Sequence, residues 1–551
     1  MDIEAFRKAG HDAVESIAKY YESLEELPVC SKSEPGDIKA LIPGKPPLKG
    51  EPFEGISKDF ERLILPGITH WQHPSFFELY PANSTFESII ADMYSTAVNT
   101  PGFNWSCSPI ATDLEFVMMD WVAELFGLSE TYKSTSKTGG GTIVGTASEA
   151  CLTVAVAARE RALQYEFEKL SNEKNQSNQI NHHELSNHNS FHQRSHLHLR
   201  KRAQMTGKLV IYGSTQTHSM GHKTALILGL EWRGIEVSKE DGWGLRGDKL
   251  RKAIEFDVEN GFIPCMLIVT LGTTNVGAMD FLDELVKVAK DYPTLWIHVD
   301  AAWAGVYLSL PEFRKKLYLE IINQSDSPFN QNSNGFSKKS ILLTSPGVVH
   351  SFCTNLHKSG LVSFDCSIFF IRNKNALTET LKLTPHYLHS KEGDLDTAID
   401  FRNWGIPLGR RFRSLKIFFV LRSFGVEGFQ AELRRTIELT DYLQELIRQD
   451  ECFETIQEPS LALTIFRMKR PLKEFEKEGI RWPTCLEEQE KRLDQLNLRL
   501  AEMVQATNQI SFTPSVVDGK RCFRIAIGRM SRKCHIDQAW ELFQTSARTL
   551  K

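Results

Sequence analysis

Between residues 208 and 300 the chain switches repeatedly between two hydrophobic patterns, and this alternation limits its fold more than any other feature. "KLVIYGS" reads as a strand, "HSMGHKTALILGL" as a helix and "FIPCMLIVTLG" as a fully buried strand. "FLDELVKVAKDY" follows as a helix and "LWIHVD" as a strand. Parallel strands need long crossovers, usually helical, so the alternation predicts an α/β fold with a mainly parallel sheet. Ligands in such sheets gather at the carboxyl ends of the strands. Candidate chemistry is therefore sought where these strands stop.

The flanks are of a different kind. Ile3, Phe6, Ala13, Ile17, Tyr20, Tyr21 and Leu24 recur at helical spacing, and "PGDIKALIPGKPP" then breaks the pattern. Residues 1–85 are too thin to build a core of their own and are expected to pack on something else, a second subunit being the plausible choice. Ser108 is placed to cap a helix that Pro109 opens, with Leu114, Val117, Met118, Trp121, Val122 and Leu125 as its apolar face and Gly127 as its end. After Arg411 come helices such as "GFQAELRRTIELTDYLQELIRQ", then the strands "SLALTIFRM" and "CFRIAIGRM" of a smaller α+β domain. The expected parts are a helical segment 1–85, a large domain 86–415 and a small domain 416–551.

Two polar stretches interrupt the large domain, about 171–203 and 323–340. The first carries six histidines between His182 and His198. These could bind a metal. The Asn- and Ser-rich composition with little apolar content reads as a solvated loop, and no metal is expected. The formal charge of −4 shows no nucleic-acid footprint, no apolar run reaches the ~18 residues of a membrane span, and "MDIEAFRKAGHDAVE" lacks the features of a signal peptide. Ten scattered cysteines without a CxxC pair read as reduced thiols of a cytoplasmic protein.

Several residues could carry chemistry. Asp300 closes "WIHVD" at the ligand edge; alone it reads as a cap or turn aspartate, in company as a carboxylate facing a cationic ring nitrogen. Ala301 and Ala302 would let a flat ring lie close to the backbone. "GGGTIVGTASEA" places glycines, then Thr146, Ala147 and Ser148, before a helix, an arrangement that suits a phosphate. It is not a Walker loop. His218 follows "KLVIYGS" and could stack on a planar cofactor, although a lone histidine is more often structural. Thr270 ends "MLIVT" and offers a further donor. Lys358, in "TNLHKSGLVSFDCS", is an ammonium beside a largely apolar run, unusual unless it is paired or used. A lysine, a ring-facing acid and a phosphate cradle together are what pyridoxal phosphate requires.

The chain resembles the pyridoxal-phosphate-dependent aromatic-L-amino-acid decarboxylases, the group II family that also includes histidine, tyrosine and tryptophan decarboxylases. The likeness runs almost end to end through "THWQHPSFF", "GFNWSCSPIATDLEFVMMDW", "GTASEA", "HVDAAWAG", "NLHKSGLVSFDCS", "IPLGRRFRSLK" and "FRIAIGRMSR". It implies an aminotransferase-like fold of type I and a homodimer with a swapped N-terminal segment. Lys358 matches the Schiff-base lysine, Asp300 the pyridine-nitrogen carboxylate and His218 the ring-stacking histidine, with Ala302 on the other ring face. Ala147, Ser148, Thr270, Asn355 and His357 match phosphate or cofactor contacts. Tyr387 falls where a loop tyrosine returns the proton. Trp71, Tyr80, Pro81, Pro101 and Phe103 fall in the substrate pocket. Gly409 takes a place that is Ser in relatives acting on histidine and in plant ones acting on tyrosine.

The sequence departs from the family at Leu356 and Ser359, where Pro and Trp are usual, and at Glu78, Leu79 and Ala82, where animal members carry Ala, Tyr and Thr. The implied activity is decarboxylation of an aromatic L-amino acid to its amine, tryptophan-like or broadly aromatic first and tyrosine second. Rival readings are an aldehyde synthase, which couples decarboxylation to oxidative deamination, and a non-catalytic scaffold binding a metal or a partner.

Overall fold

A computed structural model describes residues 1–177, 191–324, 348–383, 399–458, 460–469 and 485–550. The chain forms two compact units, residues 84–433 and residues 1–83 with 434–551. Their strands are numbered β1 to β12 in chain order.

The smaller unit has a five-stranded sheet in the order β1 (Phe76–Phe77), β11 (Ser511–Val517), β12 (Lys520–Ala526), β10 (Leu463–Met468), β9 (Phe453–Thr455). Helices Leu486–Ala506 and Lys533–Thr549 close its core over Phe466, Phe512, Phe523 and Phe543, whose rings meet mostly edge to face. The expected first helix is present as Ile3–Glu22, started by Asp2, whose carboxylate accepts the Ala5 N–H at 2.8 Å, and none of its residues is buried. The stretch expected only to break it holds a short helix of its own, Asp37–Leu41.

The larger unit has seven strands: β2 (Gly140–Val144), β3 (Leu209–Ser214), β4 (Glu231–Ile235), β5 (Ile263–Thr270), β6 (Trp296–Asp300), β7 (Val349–Asn355) and β8 (Ser367–Ile371). Their order is β2-β8-β7-β6-β5-β3-β4, parallel from β7 through β4, with β8 antiparallel to both neighbours. This is the α/β architecture expected. Three of its strands were legible as patterns, and β5 is buried along all but its first residue. Beta2 was not: its glycine-rich run reads as a turn, yet it is a fully buried strand. The reason is close packing, since a Cβ on Gly141 would lie 2.7 Å from the Phe370 ring.

The helix predicted from Pro109 runs Pro109–Phe126 and ends at Gly127 in the left-handed conformation, φ 72°. Ser108 occupies the cap position without a capping side-chain bond. Its buried face is also rotated from the expected one. Met118, Val122 and Leu125 are inside with Glu115, Met119 and Phe126, whereas Val117 and Trp121 are about two-fifths exposed, at 41% and 43%.

Helices Ala147–Ser177 and Phe191–Thr206 run into both ends of the first polar stretch, which is therefore not loop throughout. Its Glu, Lys, Gln and Arg residues are good helix formers even where they bury little. Of the second polar stretch only Asn323 and Gln324 fall among the described residues. No helix among the described residues is long and apolar enough to cross a membrane.

Candidate functional site

Because β3, β5, β6 and β7 are parallel and adjacent, their carboxyl ends share one edge, and that edge carries most of the expected residues. Thr270 pairs with Asp300 across β5 and β6, and Asp300 pairs with Cys353 across β6 and β7. Beta2 joins the same edge. Its last residue, Val144, pairs with Ser367 of β8, and Ser367 also pairs with Asn355 at the end of β7. The turn after β2 and the turn after β7 are thus two strand spacings apart, roughly 10 Å.

Lys358 lies in the turn after β7, outside any strand. Its N–H donates to the Asn355 carbonyl at 3.2 Å, and the side chain is partly buried. The apolar run that made this lysine look misplaced is the loop between β7 and β8, buried from Gly360 to Val362 and exposed at Phe364. Gly360 lets that loop turn tightly, since a Cβ there would lie 2.6 Å from the Leu356 carbonyl oxygen. The next residue, Leu361, takes a left-handed φ of 65°. The unusual Leu356 and Ser359 are both buried in this turn, at 3% and 4% exposure. His357 is tied across it: its N–H donates to the Cys366 carbonyl at 3.2 Å and its Nδ1 accepts the Cys366 N–H at 3.0 Å. Burial, with the Lys358 charge adding to it, pushes the imidazole down to about 4, so the ring is neutral at physiological pH.

Asp300 is buried, and its Oδ1 accepts the Ala302 N–H at 3.0 Å and the Cys353 thiol at 3.7 Å. Burial, followed by the Asp300 charge, pushes the Cys353 thiol well up, which keeps it a donor. On the other side, Asp280 holds the end of β5: its carboxylate accepts the N–H groups of Thr270 at 2.7 Å and Leu245 at 2.8 Å. Full burial pushes the Asp280 carboxyl up to about 7. Below Asp300 on β6, His298 is fully buried and its Nδ1 meets Ser351 Oγ at 2.8 Å. Cys353, Asp280 and His298 escaped the sequence reading. Only Cys353 and His298 had a readable cue, their place in or next to a motif.

The turn Gly145–Thr146 leads into the helix that starts at Ala147. Thr146 Oγ1 accepts the Glu149 N–H at 3.3 Å, and the Glu149 carboxylate accepts the Gly145 N–H at 2.8 Å, a reciprocal cap. The N–H groups of Ala147 and Ser148 remain at the positive end of the helix. His218 is exposed after β3, and its Nδ1 accepts the Met220 N–H at 3.1 Å, which leaves the proton of the neutral ring on Nε2.

Two atoms test whether a cofactor fits. Thr270 Oγ1 and Asn355 Oδ1 are both buried and lack a hydrogen-bond partner among the described residues. Buried polar atoms rarely stay so, and these two flank Asp300 at the ends of β5 and β7. A ligand with a phosphate, a hydroxyl and a ring nitrogen would satisfy the edge, and pyridoxal phosphate has all three.

Beside this edge lies a cavity of about 530 Å³ whose lining includes Ser148, Met220, Ile227, Pro407 and Gly409. A Cβ on Gly409 would meet nothing within 4 Å. Pro101 and Phe103 belong to the same unit, Pro101 exposed and Phe103 partly buried. Trp71, Tyr80 and Pro81 belong to the other unit: Trp71 is 40% exposed and packs on Phe76, whereas Tyr80 is buried against the Arg524 guanidinium. Glu78 is bound there, its carboxylate accepting the Ser511 hydroxyl at 2.6 Å. Tyr387 and the segment around it lie outside the described residues. Among the described residues no cluster of three or more His, Cys, Asp or Glu could hold a metal ion.

Comparison with known proteins agrees with this chemistry. A profile of the pyridoxal-dependent decarboxylase conserved domain matches residues 35–186 and 185–469. An aromatic-L-amino-acid decarboxylase of Catharanthus roseus is 34% identical over 548 residues, 99% of this chain and 94% of that protein. A phenylacetaldehyde synthase of Arabidopsis thaliana is also 34% identical, over 99% of this chain and 96% of that protein. Among solved structures, the Oryza sativa TDC with PLP and tryptamine superposes with a TM-score of 0.83 at 28% identity, covering 100% of this chain and 98% of that one.

Proposed function

The chain belongs to the pyridoxal-dependent decarboxylase family, a pyridoxal-phosphate enzyme of fold type I, and on that premise we propose that it converts aromatic L-amino acids to their amines and CO2. The observation that carries the reading is the pair of orphaned buried atoms, Thr270 Oγ1 and Asn355 Oδ1, on either side of the anchored Asp300 carboxylate.

In this assignment Ala147, Ser148 and Thr270 hold the phosphate, Asn355 and His357 contact the cofactor, and Lys358 anchors it covalently. Asp300, kept in place by Ala302 and Cys353, holds a proton on the ring nitrogen. His218 and Ala302 cover the two ring faces. Bound pyridoxal phosphate supplies an electron sink that lets the bond from the substrate's Cα to its carboxylate break. Tyr387 then delivers a proton to Cα, and the amine leaves. Trp71, Tyr80, Pro81, Pro101, Phe103 and Gly409 hold the aromatic side chain. The open space at Gly409 supports an indole or a broad range of rings, with tyrosine second.

Aldehyde production is the competing outcome, since relatives of both kinds are equally similar in sequence. The retained His218 and Tyr387 support the amine. The working form is a homodimer whose N-terminal segment packs on its partner. The helix Ile3–Glu22, without a buried residue, and the exposed Ile90, Met93, Tyr94, Val117 and Trp121 support it. A cytoplasmic location is supported by ten free thiols. The deciding experiment is a panel of aromatic amino acids with amine, ammonia and peroxide detection, run beside Lys358→Ala. Tryptophan-derived amine from the wild type and none from the variant is expected. Fastest turnover on histidine, or peroxide formed in step with CO2, would overturn the reading.

A further inference from the structure

The segment Arg410–Lys416, "RRFRSLK", follows Gly409 and has no role in the chemistry assigned above. Its cations are nevertheless placed with unusual care. Lys416 is fully buried, an expensive state for an ammonium. Its Nζ donates to two backbone carbonyls of the loop that follows Lys358, Ser363 at 3.0 Å and Asp365 at 3.1 Å, and lies 3.4 Å from the Asp92 carboxylate. Arg413 grips the same loop from its side chains, donating to both Asp365 carboxylate oxygens at 3.1 and 2.9 Å.

Arg410 points its donors at the other end of the site. It forms a two-point ion pair with the buried Glu115, at 3.0 and 2.6 Å, and donates to Thr142 Oγ1 at 3.0 Å and the Ile143 carbonyl at 2.8 Å. Glu115 in turn accepts from the Thr142 hydroxyl and the Ile143 N–H, both at 2.9 Å. Thr142 and Ile143 belong to β2, the strand that ends in the turn before Ala147 and Ser148. The Arg410 N–H also holds the Pro101 carbonyl at 2.7 Å. The two anchored regions converge at Gly145, where a Cβ would lie 3.0 Å from Asp365 Oδ2 and 3.6 Å from Arg413 Nη2.

We propose that Arg410, Arg413 and Lys416 form a positioning clasp: Arg410 fixes the strand that carries the phosphate turn, Arg413 and Lys416 fix the loop behind Lys358, and the segment joining them sets the separation of the two. The clasp rests on the cofactor assignment above and deepens it. Arg410 and Lys416 need touch neither the cofactor nor the substrate; Arg413 lines the cavity beside Ser148 and Gly409, and its part in the clasp is its grip on Asp365. Each acts by holding backbone that meets the cofactor.

The test separates the two ends. Pyridoxamine phosphate lacks the aldehyde and reports only on noncovalent binding, and borohydride trapping of pyridoxal phosphate followed by peptide mass spectrometry reports on attachment at Lys358. With the full-length apo-protein, Arg410→Met is expected to weaken pyridoxamine phosphate binding about tenfold. Lys416→Met is expected to change that affinity less than about threefold while slowing trapping at Lys358 about tenfold. Arg413→Lys keeps the charge but loses the two-point grip, so it should slow trapping by a smaller factor if Lys416→Met proves unable to fold. Equal effects of Arg410→Met and Lys416→Met on both readouts, or no effect of either, would overturn the clasp. Wild-type protein that binds neither compound would instead overturn the cofactor assignment, and the clasp with it.

Discussion

His298 offers a stability prediction whose size follows from its surroundings. The ring is fully buried, its Nδ1 is paired with Ser351 Oγ, and its Nε2 has no partner among the described residues. Burial lowers its folded-state value from 6.5 to about 3. Between those values the unfolded chain binds a proton that the folded chain does not, so stability falls as the pH falls. From about pH 7 to about pH 4.5 this group alone should cost about 2–3 kcal/mol, an order-of-magnitude figure. For the unit of residues 84–433, an unfolding entropy of ~2.1 cal/mol/K per residue converts that to about 3–4 °C in Tm.

The absolute profile of the wild type cannot isolate this effect, because other groups titrate in the same window. His357, held at about 4, adds to the acid loss. Asp280, raised to about 7, opposes it, since the folded chain takes up that proton first and gains stability on acidification. The comparison must therefore be with His298→Met, which is similar in size and does not titrate. Losing the Ser351 hydrogen bond shifts this variant by about 1 kcal/mol at every pH. Only the slope is diagnostic. Thermal melts of both proteins at several pH values should show the variant losing about 3–4 °C less between about pH 7 and about pH 4.5. Parallel profiles would refute the buried, neutral histidine.

Other expectations are more direct. Gly409→Ser adds atoms where a Cβ meets nothing within 4 Å, so Tm should stay within about 1 °C, while the kcat/KM ratio of tryptophan to tyrosine falls about tenfold; an unchanged ratio would remove Gly409 from the substrate pocket. Gly360→Ala places a Cβ 2.6 Å from the Leu356 carbonyl oxygen and 2.7 Å from its Cα, and should cost about 2–4 kcal/mol, read as a lower Tm together with poorer trapping of pyridoxal phosphate at Lys358. Trp121→Glu with Tyr94→Glu charges two exposed aromatic residues of the larger unit, and sedimentation should then show the single-chain mass; a persisting dimer would place the interface elsewhere.

How far the sequence could be read depended on how local each signal is. Beta3, β5 and β6 were legible because their apolar runs are short, continuous and bounded by helical patterns. Beta4 was not, since "EWRGI" is an edge strand with two exposed, two half-buried and one buried position and no clean period. Beta2 was hidden by its glycines, which pack against Phe370 rather than turn. Among site residues, Asp300, His218 and Thr270 were found because each closes or follows a readable strand. Asp280 and Glu115 are equally buried, but their partners are 10 or more positions away, and a lone acid in an apolar stretch carries no mark of what it will bind. The rotated face of Pro109–Phe126 has a similar cause: periodicity identifies a stripe, whereas β2 and its neighbours decide which stripe is covered.

The helix that begins at Ala147 has a bearing on how the protein can vary. It leaves the ligand edge and runs for 31 residues, about 46 Å, whereas the longest strand beneath it spans about 26 Å. The chain therefore reaches the first polar stretch beyond the far margin of the sheet. The second stretch follows Gln324 and is over before β7 begins at Val349, so it too enters by the amino-terminal margin. Both exits of the described chain therefore lie at the margin remote from Lys358. For engineering, the exits at Ser177 and Gln324 are natural ports: a purification tag, a fluorophore or a fused domain attached there would start from the margin remote from the reaction.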